Sequence, residues 1–271
     1  MTQRDTPALT KYIILRFGMD TSLKDVMNSE CLFGLVHRLD VGTSGALLMG
    51  KNKEGFEFAK QGTFAQERRD KSRLRSYKSV LTTVYVCYRT PPPGWAQPIL
   101  HLSCVCSLDK SLQEFVRDYV ALTHGSLSKL RHPFTQPQGI IEFKVDKTNY
   151  ERTRRCVVSN RGQPAWTLYE RLAEFESQGA RYTLLHLRLI TGRTHQIRVH
   201  CEHIGLPLVG DEHYRNNRQY HNPRLRCPKR PFLHKLRFMF PDRYGHPTLV
   251  RMPLEDEPDL VDTLMQMTRV A

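Results

Sequence analysis

Apolar and polar residues alternate most regularly between 181 and 190, where Thr183, Leu185, Leu187 and Leu189 share one face, the period-two pattern of a half-buried antiparallel strand. Val116 to His124, closed by Gly125, and Gly139 to Val145 read as further strands, and Phe232 to Phe240 as a last one. The period changes after Thr191-Gly192-Arg193-Thr194. There Ile197, Cys201 and Ile204 recur at i, i+4 and i+7, which predicts a helix over 195–204, with Thr194 as N-cap and Gly205 and Pro207 as its stop. Leu260, Val261, Leu264 and Met265 mark a terminal amphipathic helix. Upstream, 35–52 reads as strand, tight Gly/Thr/Ser turn and strand, with Ala46 to Met49 a short buried run, and 53 to about 68 reads as helix. The sum is an α+β fold.

One stretch breaks the pattern. Arg68, Arg69, Lys71, Arg73, Arg75 and Lys78 crowd together, and 80–108 mixes apolar pieces with Pro91-Pro92-Pro93-Gly94, so about 66–113 reads as an insertion of uncertain order. The rest forms one domain over 1–271, with its core at 35–65 and 114–240. Its 39% hydrophobic content suffices for an ordinary globular core.

Charge narrows the function classes. With 41 Lys and Arg against 27 Asp and Glu, the net charge of +14 suits a partner that is a polyanion, nucleic acid first, although a merely solvated basic surface has the same composition. Seven scattered cysteines, at 31, 87, 104, 106, 156, 201 and 227, show no paired spacing and read as reduced, intracellular thiols. No run of about 18 apolar residues is present, so no spanning helix is expected. The opening MTQRDTPALTKYIILRF has a short apolar patch and an acid at position 5, a poor match to a signal peptide.

Against this positive charge, Asp40 stands out, in the loop His37-Arg38-Leu39-Asp40 running into Gly42-Thr43-Ser44-Gly45. A second cluster, Arg193, His195 and Arg198, gathers at the N-terminal turn of the 195–204 helix, where the helix dipole favours anions. Two readings of Arg198 stand: it serves a phosphate or a catalytic carboxylate, or it pairs locally with Glu202 four residues on. Three sharper motifs fail. Gly45 to Lys51 has phosphate-loop spacing but Asn52 where Ser or Thr should hold magnesium; His37 to Asp40 has the wrong order for a kinase loop; His195, His200, Cys201 and His203 are interrupted by cations that repel a metal ion.

What remains resembles the RluA-type family of RNA pseudouridine synthases. His37-Arg38-Leu39-Asp40 with Thr43-Ser44-Gly45 is similar to its catalytic motif, Val116 to Leu122 to its tyrosine motif, and Thr191 to His200 to its arginine motif. Gly162-Gln163-Pro164-Ala165 with Thr167 and Tyr169 resembles a short segment preceding the second half's sheet, and His203 to Asp211, Tyr214 and Phe232-Leu233-His234 continue the likeness. The resemblance implies a mixed, mainly antiparallel sheet flanked by helices, here with a shortened N-terminal part, and an isomerase that converts uridine to pseudouridine in structured rRNA or tRNA without cofactor or metal. Asp40 is then the catalytic carboxylate, Tyr119 the platform for the base and the group implicated in proton removal, and Arg198 the partner holding Asp40 ionised. Arg38 fills the space of a flipped base or contacts phosphate, and His37, Thr43, Arg193, His195 and Gln196 complete the RNA- and base-binding set, with His195 and Gln196 read mainly as orienting neighbours. The bland alternatives are an Asx cap for Asp40 and an ordinary sheet aromatic for Tyr119. The expected partner is RNA, bound by a monomer away from membranes; the alternative class is an RNA-binding protein on the same scaffold with impaired turnover.

Overall fold

A computed structural model describes residues 13–15, 18–60, 116–130, 134–214, 225–241 and 246–271. The expected insertion at about 66–113 lies outside the described residues, as does the expected helix beyond residue 60.

The described strands form one nine-stranded sheet: β1 (Ser44–Gly45), β2 (Val116–His124), β3 (Gln138–Asp146), β4 (Val157–Val158), β5 (Gln163–Ser177), β6 (Ala180–Leu189), β7 (Leu233–Pro241), β8 (Pro247–Arg251) and β9 (Thr268–Arg269). The order is β1-β7-β2-β6-β5-β3-β4, with β8 beside β7 and β9 beside β5. Only β1 with β7 pairs in parallel among the described strands; every other pairing is antiparallel. Among the described residues, besides helical residues 13–15, the helices include the described part of α1 (53–60), α2 (Tyr150–Thr153), α3 (Gln196–His203) and α4 (Pro258–Met265). The α+β class with a mixed, mainly antiparallel sheet is therefore observed.

Period-two alternation sorts the sheet's side chains into two cores. On one face Tyr119, Ala121, Leu185, Leu187 and Leu189 pack with Ile197, Cys201 and Ile204 of α3 and its exit turn. On the other, Val120, Leu122, Tyr182 and Leu184 pack with Leu260 and Val261 of α4. The strand expected to be half-buried is thus covered on both faces along its first half. Toward its far end one face is polar instead, where His186 and Arg188 face the buried Asp118 while Leu187 and Leu189 stay in the core.

Several sequence expectations change. β5, read as a short segment preceding a sheet, is a 15-residue strand between β3 and β6. Glu170, Arg171, Glu174 and Glu176 obscure its alternation, and a register shift between Arg171 and Ala173 breaks the period. The expected strand pair in 35–52 reduces to the Leu35–Met49 bridge and β1, and Ala46 to Met49 are half-buried. Thr194 does not cap α3: His195 does, in a left-handed conformation (φ 55°, ψ 21°) without a side-chain cap bond. In α4, Thr263 faces inward while Met265 is 56% exposed.

Candidate active site

The loop carrying Asp40 is shaped from both sides of the chain. The Thr43 N–H donates to the Asp40 carbonyl (2.9 Å), and Gly42 at φ 84° supplies the left-handed residue this tight turn requires. Arg230 reaches across to the Gly42 carbonyl (3.2 Å) and Ser44 Oγ (3.0 Å), while Glu257 (2.8 Å) and Asp259 (2.7 Å) hold its guanidinium from the α4 end. His234 Nε2 donates to the Met252 carbonyl (2.9 Å), so its Nδ1 accepts from Ser44 Oγ (2.8 Å). β1, only two residues long, is thereby locked in parallel against β7.

Next to this loop, β2 presents Tyr119 where the pairing with β7 shifts register between Asp118 and Val120, an irregularity that re-aims side chains. Buried Asp118 anchors the strand. Burial would raise its carboxyl, but Arg188, hydrogen-bonded at 2.7 and 3.1 Å, together with His186 holds it well below the usual carboxylate range; Arg237 also binds it. Loop, β2, β7 and the turn before α3 then enclose a cavity of about 260 Å³ lined by Asp40, Thr43 and Tyr119, with Arg38, Arg117, Arg193 and Lys235 around them. That volume lies just below the ~300 Å³ at which ordinary ligand pockets begin. Arg38 is exposed at its rim.

Asp40 is half-buried. Desolvation pushes its carboxyl above the ordinary range, Arg198 and Arg38 pull it back, nearby Asp211 pushes it up, and the backbone N–H of His195 favours the anion. Arg198 therefore influences Asp40 electrostatically but does not hold its carboxyl down on balance, contrary to the sequence expectation. The hydrogen bonds of Arg198 run elsewhere: Nε and Nη2 form a bidentate pair with Asp211 (2.6 and 2.7 Å), and Nη1 donates to His195 Nε2 (3.1 Å). The local alternative with Glu202 is not adopted either; Glu202 lies 3.9 Å from Arg155. A buried guanidinium takes the carboxylate that needs no water to reach it, and Asp211 is fully buried beside it.

The structure redirects three expected base-binding residues. Gln196 spends its amide inside the chain: its carbonyl accepts from Thr191 Oγ1 (2.8 Å) and the Arg193 N–H (3.0 Å), and its NH₂ donates to the Trp166 carbonyl (2.9 Å) and Thr167 Oγ1 (3.0 Å). It fixes the 191–196 turn. His195 Nε2 accepts from Arg198, so Nδ1 carries the proton and donates to the Tyr214 hydroxyl (2.9 Å). Burial and Arg198 lower its pKa to about 4, keeping it neutral. His37 Nε2 accepts from the Leu48 N–H (3.2 Å), and burial together with Lys235 lowers its pKa to about 3. It braces the loop. Arg193 and Thr43 line the cavity, as do His37 and Gln196 with their polar atoms engaged within the chain, whereas His195 does not; Thr43 Oγ1 is buried without a hydrogen-bond partner among the described residues.

Sequence reasoning missed Asp211, Arg117, Arg230 and Lys235 as members or supports of the site. Asp211 and Tyr214 fell within the resemblance but had no role assigned. Lys235 carried a usable signal, a cation following Phe232-Leu233-His234 inside a strand otherwise read as apolar.

Comparison with known proteins follows the same lines. Residues 104–203 match the family model described as RNA pseudouridylate synthase. Ribosomal large subunit pseudouridine synthase D of Nitrosomonas europaea is 33% identical over 182 residues, covering 67% of this chain and 35% of that protein. The protein of the same name from Borreliella burgdorferi is 30% identical over 194 residues, covering 71% and 42%. The chain thus spans about two fifths or less of the length of these relatives. Among solved structures, Human RNA Pseudouridylate Synthase Domain Containing 1 shares the fold at a TM-score of 0.54 and 21% identity, over 88% of this chain and 74% of that one. Motifs, matched segment and fold agree, and the chain belongs to the RNA pseudouridine synthase family, within which it resembles the RluA type.

Proposed function

We propose that this chain isomerises uridine to pseudouridine in structured RNA, rRNA or tRNA, with Asp40 as the catalytic carboxylate. The observation that carries the reading is the convergence of Asp40 and Tyr119 on one cavity ringed by cations. RNA phosphates meet the basic rim, which gives affinity without sequence information, and the target uridine leaves its stack to enter. Arg38, exposed at the rim, occupies the vacated position.

Inside, ionised Asp40 attacks or electrostatically supports C1′ while the bond from C1′ to N1 of the base breaks, its electron pair leaving with the ring. The ring turns, C5 bonds to C1′ in place of the carboxylate, and the C5 proton is then lost as N1 takes one up, which restores the C5–C6 double bond. Tyr119 offers a face for the ring and a hydroxyl for proton transfer. Burial pushes that hydroxyl's pKa well up, so it acts as a neutral phenol. Arg198 contributes positive potential to Asp40, and Asp211 fixes where that potential sits. The four cysteines of the described residues are free, consistent with an intracellular, reducing setting. No helix among the described residues is long and apolar enough to cross a membrane.

The test uses the recombinant chain with RNA transcripts of rRNA and tRNA sequence labelled with tritium at uridine C5. Label is released by the unsubstituted chain and not by Asp40→Asn, whereas both bind RNA. Binding without release by either would mark an RNA-binding protein that has lost turnover; release undiminished in Asp40→Asn would remove Asp40 from the chemistry.

A further inference from the structure

Lys235 is an unusual occupant of its position. It lies on β7 with 1% of its surface exposed, lines the cavity that holds Asp40 and Tyr119, and has no carboxylate partner among the described residues. Its Nζ makes a single hydrogen bond there, to the Ala46 carbonyl at 3.1 Å. An ammonium has three donors, so two remain without a protein acceptor among the described residues. The rest of its surroundings compensate weakly: the Phe238 ring centroid lies at 4.6 Å and that of Tyr119 at 6.0 Å. An unpaired buried cation is a costly feature unless something anionic arrives.

We propose that Lys235 is a catalytic residue that donates a hydrogen bond to the uracil carbonyl oxygen on which negative charge collects when the glycosidic bond breaks. The proposal rests on the pseudouridine synthase reading above. When the C1′–N1 bond cleaves, its electron pair enters the ring and spreads onto O2 and O4; the base is then an anion in a cavity lined by Lys235. The proton stays on Nζ throughout; the charge is discharged when C5 forms its bond to C1′, after which C5 releases its proton and N1 takes one up. A donor fixed in a dry site toward charge that develops only in the transition state accelerates the chemical step more than binding. Asp40 and Lys235 thus divide the separating charges: the carboxylate serves the sugar carbon, the ammonium the departing base.

The charged and titratable groups that share its cavity are His37, Arg38 and Asp40 from the loop, Arg117 and Tyr119 from β2, and Arg193 from the turn before α3; His234, its neighbour on β7, turns to the other face, toward Ser44 and Met252. His37 and His234 are neutral near pH 7, and burial with Arg117 lowers the Lys235 pKa to about 7. The donor form is therefore half present near pH 7 and declines progressively above it, and the rate shows a falling alkaline limb.

The test measures C5-tritium release under single-turnover conditions between pH 5.5 and 8.5, with RNA affinity measured separately by filter binding. Lys235→Met keeps length and tolerates burial; it is expected to lower the rate about 100-fold, in line with loss of one such donor, while RNA affinity changes less than about threefold. Lys235→Arg keeps the charge across this range and removes the alkaline limb. A Lys235→Met rate within about threefold of the unsubstituted chain overturns the proposal and leaves the pseudouridine synthase reading intact. So does an unchanged alkaline limb in Lys235→Arg, which would reduce Lys235 to a brace on Ala46. No release by the unsubstituted chain overturns the underlying reading and this proposal together.

Discussion

Replacing Asp211 by Asn tests the arrangement around Arg198 directly. The two side chains are 0% and 3% exposed and meet through two short charge-assisted bonds, and the Asp211 carboxylate also accepts from the His213 N–H (3.2 Å) and Tyr214 N–H (3.3 Å). The Asn side chain has nearly the same volume, so packing survives while Arg198 is left a buried charge without its ion partner. Breaking a buried pair from one side costs about 3–5 kcal/mol. At about 2–4 °C per kcal/mol for a domain of this size, Tm falls by about 6–20 °C in differential scanning fluorimetry or calorimetry. Removing both charges together, in Arg198→Met with Asp211→Leu, recovers part of that loss, because no unpaired charge remains although the His213 and Tyr214 N–H groups and His195 Nε2 each lose a partner. The same substitution has an electrostatic sign on the chemistry. Asp211 is a like charge that raises the Asp40 carboxyl, so Asp211→Asn moves the acid limb of C5-tritium release to lower pH. A stability loss below about 1 kcal/mol, or an acid limb displaced upward, would refute both the buried-pair energetics and the assignment of Asp211 as a tuning charge.

Two further outcomes are expected. His37, His195 and His200 have pKa values lowered to about 3, 4 and 4, first by burial, so below about pH 6.5 the unfolded chain takes up protons that the native chain refuses; urea midpoints fall progressively between pH 6.5 and about 4, and a midpoint constant over that window would contradict their neutral, buried placement. Gly45 sits at φ 122°, and a Cβ there would lie 2.5 Å from Lys235 Cβ and 2.7 Å from its carbonyl oxygen, so Gly45→Ala separates β1 from β7, lowers stability by about 2 kcal/mol or more and depresses release in the remaining folded fraction; a variant as stable as the parent would show that the close approach of these strands is dispensable.

The local code of the chain determined much of this protein. Alternation at Thr183, Leu185, Leu187 and Leu189 and the 3.6-residue stripe of Ile197, Cys201 and Ile204 were legible because each reflects a short-range geometric period that tertiary packing reinforces. The motifs around Asp40, Tyr119 and Arg198 were legible for a different reason, since a loop, a strand and a helix turn carrying reactive side chains leave fixed spacings in the text. β5 was not legible, because charged residues that serve its edges and bulge mask the period of two. Nor was the partner of Arg198: Glu202 and Asp211 are both acids within reach in sequence, and only the folded path from α3 through Leu208 to Asp211 places one carboxylate in a buried bidentate pair and turns the other toward Arg155. Lys235 and Arg230 follow the same logic. Each lies more than 180 residues from the loop it touches, bonded to Ala46, Gly42 and Ser44. Sequence named Asp40, Tyr119, Arg38, Arg193 and Arg198 as candidates, because side-chain chemistry is local. Tertiary structure decided which cation pairs with which acid and how ionised Asp40 is, because desolvation and Coulomb energy depend on distances through space.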